Sequence, residues 1–367
     1  MTMRSLIVRE KALIILVLIS LSTTSAADFG AGIAAYKRGD FEAASREFSR
    51  LATAGDVRAQ FAMGLMHDNG EGVEQDDAAA FEWYRKSAEK GYAKAQYNLA
   101  LMYDKGRGVE RDIATARLWF GTSAARGNDG ALARVHRYAE EGDADIQLRL
   151  GRMYYLGKGV TRNERNAFGW FSKAADHGMS GAAFALGLMY EKGQGRLQSF
   201  LKAAEWYRKA ADRGHVEAAY NLARLYRLGR GVTRDLDQAK TLYETAANAG
   251  LVSAQLSLAM LYEAGQGWQR DILRAVEWYR RAAASGSGDA RINLAYLYTK
   301  GIGVEKDPVE AYALFIAADD AGHRLARDNL AALAPGLEER EIAEATERAR
   351  RYLEPDAPSF AAAVTPD

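Results

Sequence analysis

One line of sequence returns every 36 residues, starting at residues 56, 92, 143, 179, 215, 251 and 287, and this period constrains the fold before any other property does. Each unit closes on a glycine, at Gly91, Gly127, Gly178, Gly214, Gly250, Gly286 and Gly322, and Gly55 closes a partial unit ahead of them. A glycine pair punctuates the middle of each unit, as in Gly70 with Gly72, Gly106 with Gly108 or Gly301 with Gly303. Between these markers the apolar residues recur at helical spacing, for example Ala95, Leu99 and Met102, then Ala116, Phe120 and Ala124. Each unit is therefore expected to be two amphipathic helices. Asp76, Asp112, Asp235, Asp271 and Asp307 stand where the second helix opens, and a carboxylate there caps free amide groups. The closing glycines suit the left-handed conformation that ends a helix. A helix pair written seven times predicts an all-α chain, a right-handed α-solenoid of helix-turn-helix repeats.

The period slips once. Residues 128–142 carry Ala131, Val135 and Tyr138 at helical spacing but no loop glycines, which reads as a truncated repeat between repeats 1–2 (56–127) and repeats 3–7 (143–322). Residues 28–55 are expected to form an N-terminal capping helix pair, and 323–354 C-terminal capping helices. Pro355, Pro358 and Pro366 predict a disordered tail over 355–367.

The first 27 residues have the order of a secretory signal peptide: Arg4, Arg9 and Lys11, an apolar run from Ala12 to Leu21, then small residues to Ala27. Cleavage is expected before Asp28 or Ala27. The run is about ten residues, half of the roughly 20 that a spanning helix needs, so no stable membrane span is expected after cleavage. The expected location is periplasmic or secreted. With 49 basic and 48 acidic side chains, the chain lacks the positive excess that a nucleic-acid binder requires. The absence of cysteine excludes disulfides, thiolate metal sites, thiol catalysis and a lipidated cysteine.

The conserved-looking positions of the period read as packing. Trp83, Trp119, Trp170, Trp206 and Trp278 share one position with Leu242 and Leu314, and the next holds Tyr84, Phe120, Phe171, Tyr207, Tyr243, Tyr279 and Phe315. Alanine fills a third without exception, from Ala80 and Ala116 to Ala311. The Gly-x-Gly loops lack the lysine and hydroxyl residues of a phosphate-binding loop, and the five histidines share no ligand spacing, so neither a cofactor nor a metal is expected.

The line Ala-Gln-Tyr-Asn-Leu-Ala-Leu-Met-Tyr-x-x-Gly-x-Gly-Val-x-x-Asp from Ala95 to Asp112, followed by Ala116, Trp119, Phe120 and Gly127, resembles the Sel-one-like repeat, the 36-residue relative of the tetratricopeptide repeat. The resemblance covers seven units and implies a protein-binding solenoid. Some secreted, cysteine-rich members of that family are linked to β-lactam binding or hydrolysis, and Ser87-Ala88-Glu89-Lys90 has the Ser-x-x-Lys spacing of serine β-lactamases. No companion motif accompanies it, so no catalytic residue is assigned and the chain is not expected to be an enzyme. The alternatives are a β-lactam or cell-wall hydrolase, or a structural part of an envelope or polysaccharide-export complex.

Partner recognition is expected at positions that vary along the first helix of each unit, on the concave face. One such row holds Asn98, Arg149, Asn221 and Asn293; a second, three residues on, holds Leu101, Arg152, Leu188, Arg224, Met260 and Tyr296. Apolar anchors beside arginine and asparagine suit a protein or peptide segment, although packing against the adjacent unit would also account for the rows. Trp268 replaces the loop valine of other units, either filling the same pocket or serving as an exposed anchor.

Overall fold

The computed structural model describes residues 25–265 and 269–353, and among these it contains helices and no strand. Residues 1–24, on which most of the expected signal peptide falls, Trp268 and the expected tail over 355–367 lie outside the described residues. The chain divides into two compact units that meet in sequence at Met179 and Ser180. The first holds α1 (Ser25–Lys37), α2 (Phe41–Thr53), α3 (Val57–Asn69), α4 (Asp77–Glu89), α5 (Ala93–Lys105), α6 (Ile113–Ala124), α7 (Asp129–Glu140), α8 (Ala144–Leu156) and α9 (Glu164–Asp176). The second holds α10 (Ser180–Lys192), α11 (Phe200–Ala211), α12 (Val216–Leu228), α13 (Leu236–Asn248), α14 (Val252–Ala264), α15 (Ile272–Ala284), α16 (Gly288–Lys300), α17 (Pro308–Asp320), α18 (Arg324–Leu333) and α19 (Glu339–Leu353). Within each unit, helices that follow one another in the chain pack side by side, which is the solenoid arrangement.

The local chemistry follows the repeat. All five predicted aspartates cap their helices, with Asp76 accepting from the Ala78 amide at 2.8 Å and Asp307 from the Glu310 amide at 2.9 Å. Gly106 ends α5 in the left-handed region at φ 68°. Gly108, also at positive φ, lies so close to the preceding repeat that a Cβ would stand 2.1 Å from the Asp77 carbonyl oxygen. The loop glycine is thus both a turn and a contact with the start of the neighbouring second helix.

Packing uses the same positions. The invariant alanines are fully buried from Ala80 to Ala311, and the ring after the tryptophan is buried in every repeat. The tryptophans are less enclosed: Trp278 is buried, while Trp83, Trp119, Trp170 and Trp206 are half-buried. Lys86, Lys173, Lys209 and Arg281 cover Trp83, Trp170, Trp206 and Trp278 at 4.0–4.6 Å from the ring centre, one turn along the same helix. A buried glutamine ties neighbouring helices: Gln60, Gln96, Gln147 and Gln255 donate to the carbonyls of Ala52, Ala88, Ala139 and Ala247.

At the slip in register a single helix, α7, stands where other repeats have two. Its start is capped by Asn128, as a helix following α6. Its end behaves like a second helix, since Gln147 of α8 reaches its Ala139 carbonyl at 2.9 Å, as Gln96 of α5 reaches Ala88 of α4. One helix therefore serves both neighbours, and α6 comes directly against α8.

Candidate partner-binding face

The two candidate rows lie on first helices but have different surroundings. Asn98, Asn221 and Asn293 are half-buried, and their amides hydrogen-bond the hydroxyls of Tyr84, Tyr207 and Tyr279 on the preceding second helix. Each tyrosine in turn donates to a carboxylate of its own repeat, Asp68 at 3.2 Å, Glu191 at 2.6 Å and Glu263 at 2.6 Å. Burial first, and then these carboxylates, pushes the three hydroxyls well above the usual phenol range. The asparagines thus bridge adjacent repeats through a partly buried polar relay.

A sequence signal for that relay exists. Asparagine stands fourteen positions after Tyr84, Tyr207 and Tyr279, and alanine at that offset after Phe48 and Phe171, although Tyr243 is followed by Ser257 and Phe315 by Asn329, so the signal is partial. Of the groups in this relay, Arg224 was a sequence candidate, whereas Arg107 and the carboxylates of Asp68, Glu191 and Glu263 were not.

The second row is more open. Leu101 and Leu188 are half-buried, Arg152 is exposed, and Met260 and Tyr296 are 52% and 51% exposed. Arg224 is half-buried and forms a close ion pair with Glu191, which also accepts from Tyr207. Arg107 makes the equivalent link in the first unit, 2.5 Å from both Asp68 and Asp77. Arg224, Met260, Tyr220, Arg227 and Ser257 line a pocket of about 210 Å³ between α12 and α14. Tyr220 and Arg227 extend the sequence prediction there.

Arg149 and Arg152 are placed elsewhere, in a pocket of about 490 Å³ where α8 faces α6. The broken register accounts for this, because no complete second helix separates the two.

The remaining chemistry is structural. The Ser87 hydroxyl is buried and donates to the Val57 carbonyl at 2.7 Å, and Lys90 donates to the Gly55 carbonyl at 2.9 Å. Ser123 makes the same bond to Ala93 one repeat later, so Ser87 holds two helices together. Among the described residues no group of three His, Asp or Glu side chains is arranged to hold a metal ion. His215 stacks on Phe184 at 4.4 Å.

The Sel1 repeat family matches residues 57–92, 93–128, 144–179, 180–215, 216–251, 252–287 and 288–323, leaving out the α7 segment. A Sel1 repeat protein from Oxalobacter formigenes is 32% identical, over 84% of this chain and 87% of that one, with a TM-score of 0.52. A protective antigen of uropathogenic Escherichia coli strains, displaying an SLR fold, is 29% identical over 91% of this chain and 85% of its own, with a TM-score of 0.41. Comparison with curated proteins gave no match. Seven matched repeats, filling most of the helical chain, place it in the Sel1 repeat family.

Proposed function

We propose that the protein is a non-catalytic scaffold or regulator of the bacterial periplasm that binds a segment of a partner protein along the exposed face of its first helices. Sel1 repeat proteins generally act as protein-interaction scaffolds. The observation that carries the reading is the exposure of Met260 and Tyr296 at the same position of consecutive repeats, with Met260 beside Arg224 and Tyr220 in one pocket. Large apolar side chains held out of the core next to arginine are the composition of a protein-binding hot spot. The location rests on the order of residues 1–27, and no described helix is long and apolar enough to cross a membrane. Ser87, bonded to a backbone carbonyl inside a helix interface, speaks against the hydrolase alternative.

The test is affinity capture of the crosslinked mature chain from its native host, beside a Met260→Asp, Tyr296→Asp variant. Both side chains are exposed, so the variant is expected to fold. A partner captured by the parent and lost by the folded variant supports the reading. Capture of no partner by either chain overturns it, and a partner bound in fixed stoichiometry would favour a structural component over a regulator.

A further inference from the structure

At the register break two cations form no ion pair. Arg149 and Arg152 have no ion pair or hydrogen-bond partner among the described residues, unlike Arg107, Arg224 and Arg348, which are paired with carboxylates. They are three residues apart on α8, which sets them side by side on one helix face. The stem of Arg149 runs over Gly121 of α6, where an added Cβ would lie 2.4 Å from its Cδ. Other repeats carry Arg85, Ser172, Arg208, Glu244, Arg280 and Ile316 at that position, so the missing side chain is what admits the arginine.

The third guanidinium in the pocket, Arg117, is held by Asp143 at 2.9 Å and lies against the Tyr138 ring. Asp143 also caps α8 by accepting from the Ile146 amide, and its charge is thereby committed. The apolar wall consists of Leu118, Ile146 and Leu148, with Leu118 55% exposed.

We propose that this pocket receives an acidic segment of a partner protein, with a Glu or Asp carboxylate between Arg149 and Arg152 and a neighbouring apolar side chain over Leu118. The inference deepens the scaffold reading, on which it rests for taking a protein chain as the ligand. The charges decide the class of ligand. Three arginines against Asp143 and Asp145 leave a net charge of +1, which suits a single carboxylate better than a phosphate dianion or a polyanion. The apolar wall supplies contact area that a free small anion would leave unused.

The experiment uses the full mature chain and pools of nine-residue peptides with a fixed central pair and the other positions randomised. Binding is read by fluorescence anisotropy for Glu-Leu, Gln-Leu, Glu-Ser and phosphoserine-Leu pools. The Glu-Leu pool is expected to bind at least tenfold more tightly than the Gln-Leu and Glu-Ser pools, and to weaken with added salt. Arg152→Glu, a change at an exposed and unpaired side chain, is expected to weaken Glu-Leu binding at least tenfold with unchanged helical content. Arg149→Ala is expected to do the same. Equal binding of Glu-Leu and Gln-Leu, preference for phosphoserine, an unaltered Arg152→Glu variant or no binding at millimolar peptide would each overturn the proposal. If the pools fail while capture through Met260 and Tyr296 persists, this inference falls and the scaffold reading stands. If capture fails as well, both fall.

Discussion

Replacing Arg291 by glutamine tests how the second unit is closed at its C-terminal end. Arg291 stands at the position of the bridging glutamines, and the residue is 4% exposed. Its Nε donates to the Ala283 carbonyl at 3.2 Å, the bond that Gln255 makes to Ala247 one repeat earlier. Its other two nitrogens reach further, to the carbonyls of Ala317 at 2.8 Å and Tyr352 at 2.5 Å. Those carbonyls lie in the last turns of α17 and α19, where intrahelical donors run out and a cation is favoured. Arg291→Gln keeps the first bond and loses the other two. At about 1.5–3 kcal/mol for each hydrogen bond from a charged donor, the gross loss is about 3–6 kcal/mol. Burial pushes the Arg291 pKa down, so part of the loss returns when the buried charge is removed. A net cost of about 2–3 kcal/mol remains. Because α19 is held also by Arg348 on Asp307 and Glu310, and by the Tyr352 hydroxyl on Glu310, it should loosen without detaching. Hydrogen exchange of the α19 amides should accelerate about 30- to 150-fold, with α12 to α14 unchanged. Unaltered protection of α19, or an equal loss across the whole unit, would refute the latch.

Two further changes probe the repeat itself. Gly108→Ala and Gly127→Ala both place a side chain at positive φ, but only Gly108 faces a backbone oxygen 2.1 Å from the new Cβ, while Gly127 has open space. Denaturant unfolding should show a cost of about 1 kcal/mol at Gly127 and clearly more at Gly108; equal costs would remove the close approach from the argument. The Arg107 hydrogen bond holds the Asp77 carboxyl below the usual carboxylate range. A depressed folded pKa contributes stability that is present above the unfolded value, about 3.9, and is lost as the pH falls through the folded one. The stability difference between the parent and Asp77→Asn should therefore be constant from pH 6 to 8 and shrink below about pH 4. A difference that grows in acid would contradict the assignment.

The helix pairs, their caps and their alanine interfaces were legible in the sequence because each is fixed within one repeat or between identical neighbours. Asp112 needs only the amide of Thr115, three residues on, and Ala116 needs only another copy of the same helix beside it. The asparagine row was harder to assign, since Asn98 varies along the solenoid as a binding residue would. In three repeats it answers to the tyrosine of the helix before it, a dependence that links two helices rather than one. Arg149 marks the limit of reasoning by register. Its number in the repeat equals that of Asn98, but the helix opposite is α6 rather than a complete second helix of the preceding unit. Position in a period predicts surroundings only while the neighbours are also in period.

The same contrast bears on where charge recognition is strongest. A ligand carboxylate that approaches Arg224 meets a guanidinium already paired with Glu191, and it gains only the difference between two similar ion pairs. An exposed ion pair is itself worth only about 0–1 kcal/mol, and the difference between two similar pairs is smaller still. At Arg149 and Arg152 no internal carboxylate has to be displaced, so the whole interaction is available to the ligand. Apolar side chains such as Met260 and Tyr296 can therefore supply contact area in the second unit, while selection for an acidic residue is concentrated at the break in the first. Arg224→Ala should disturb the relay through Glu191 and Tyr207 more than it disturbs acidic-peptide binding, whereas Arg152→Ala should do the reverse; an acidic peptide that weakens equally with both would place charge recognition along the whole row.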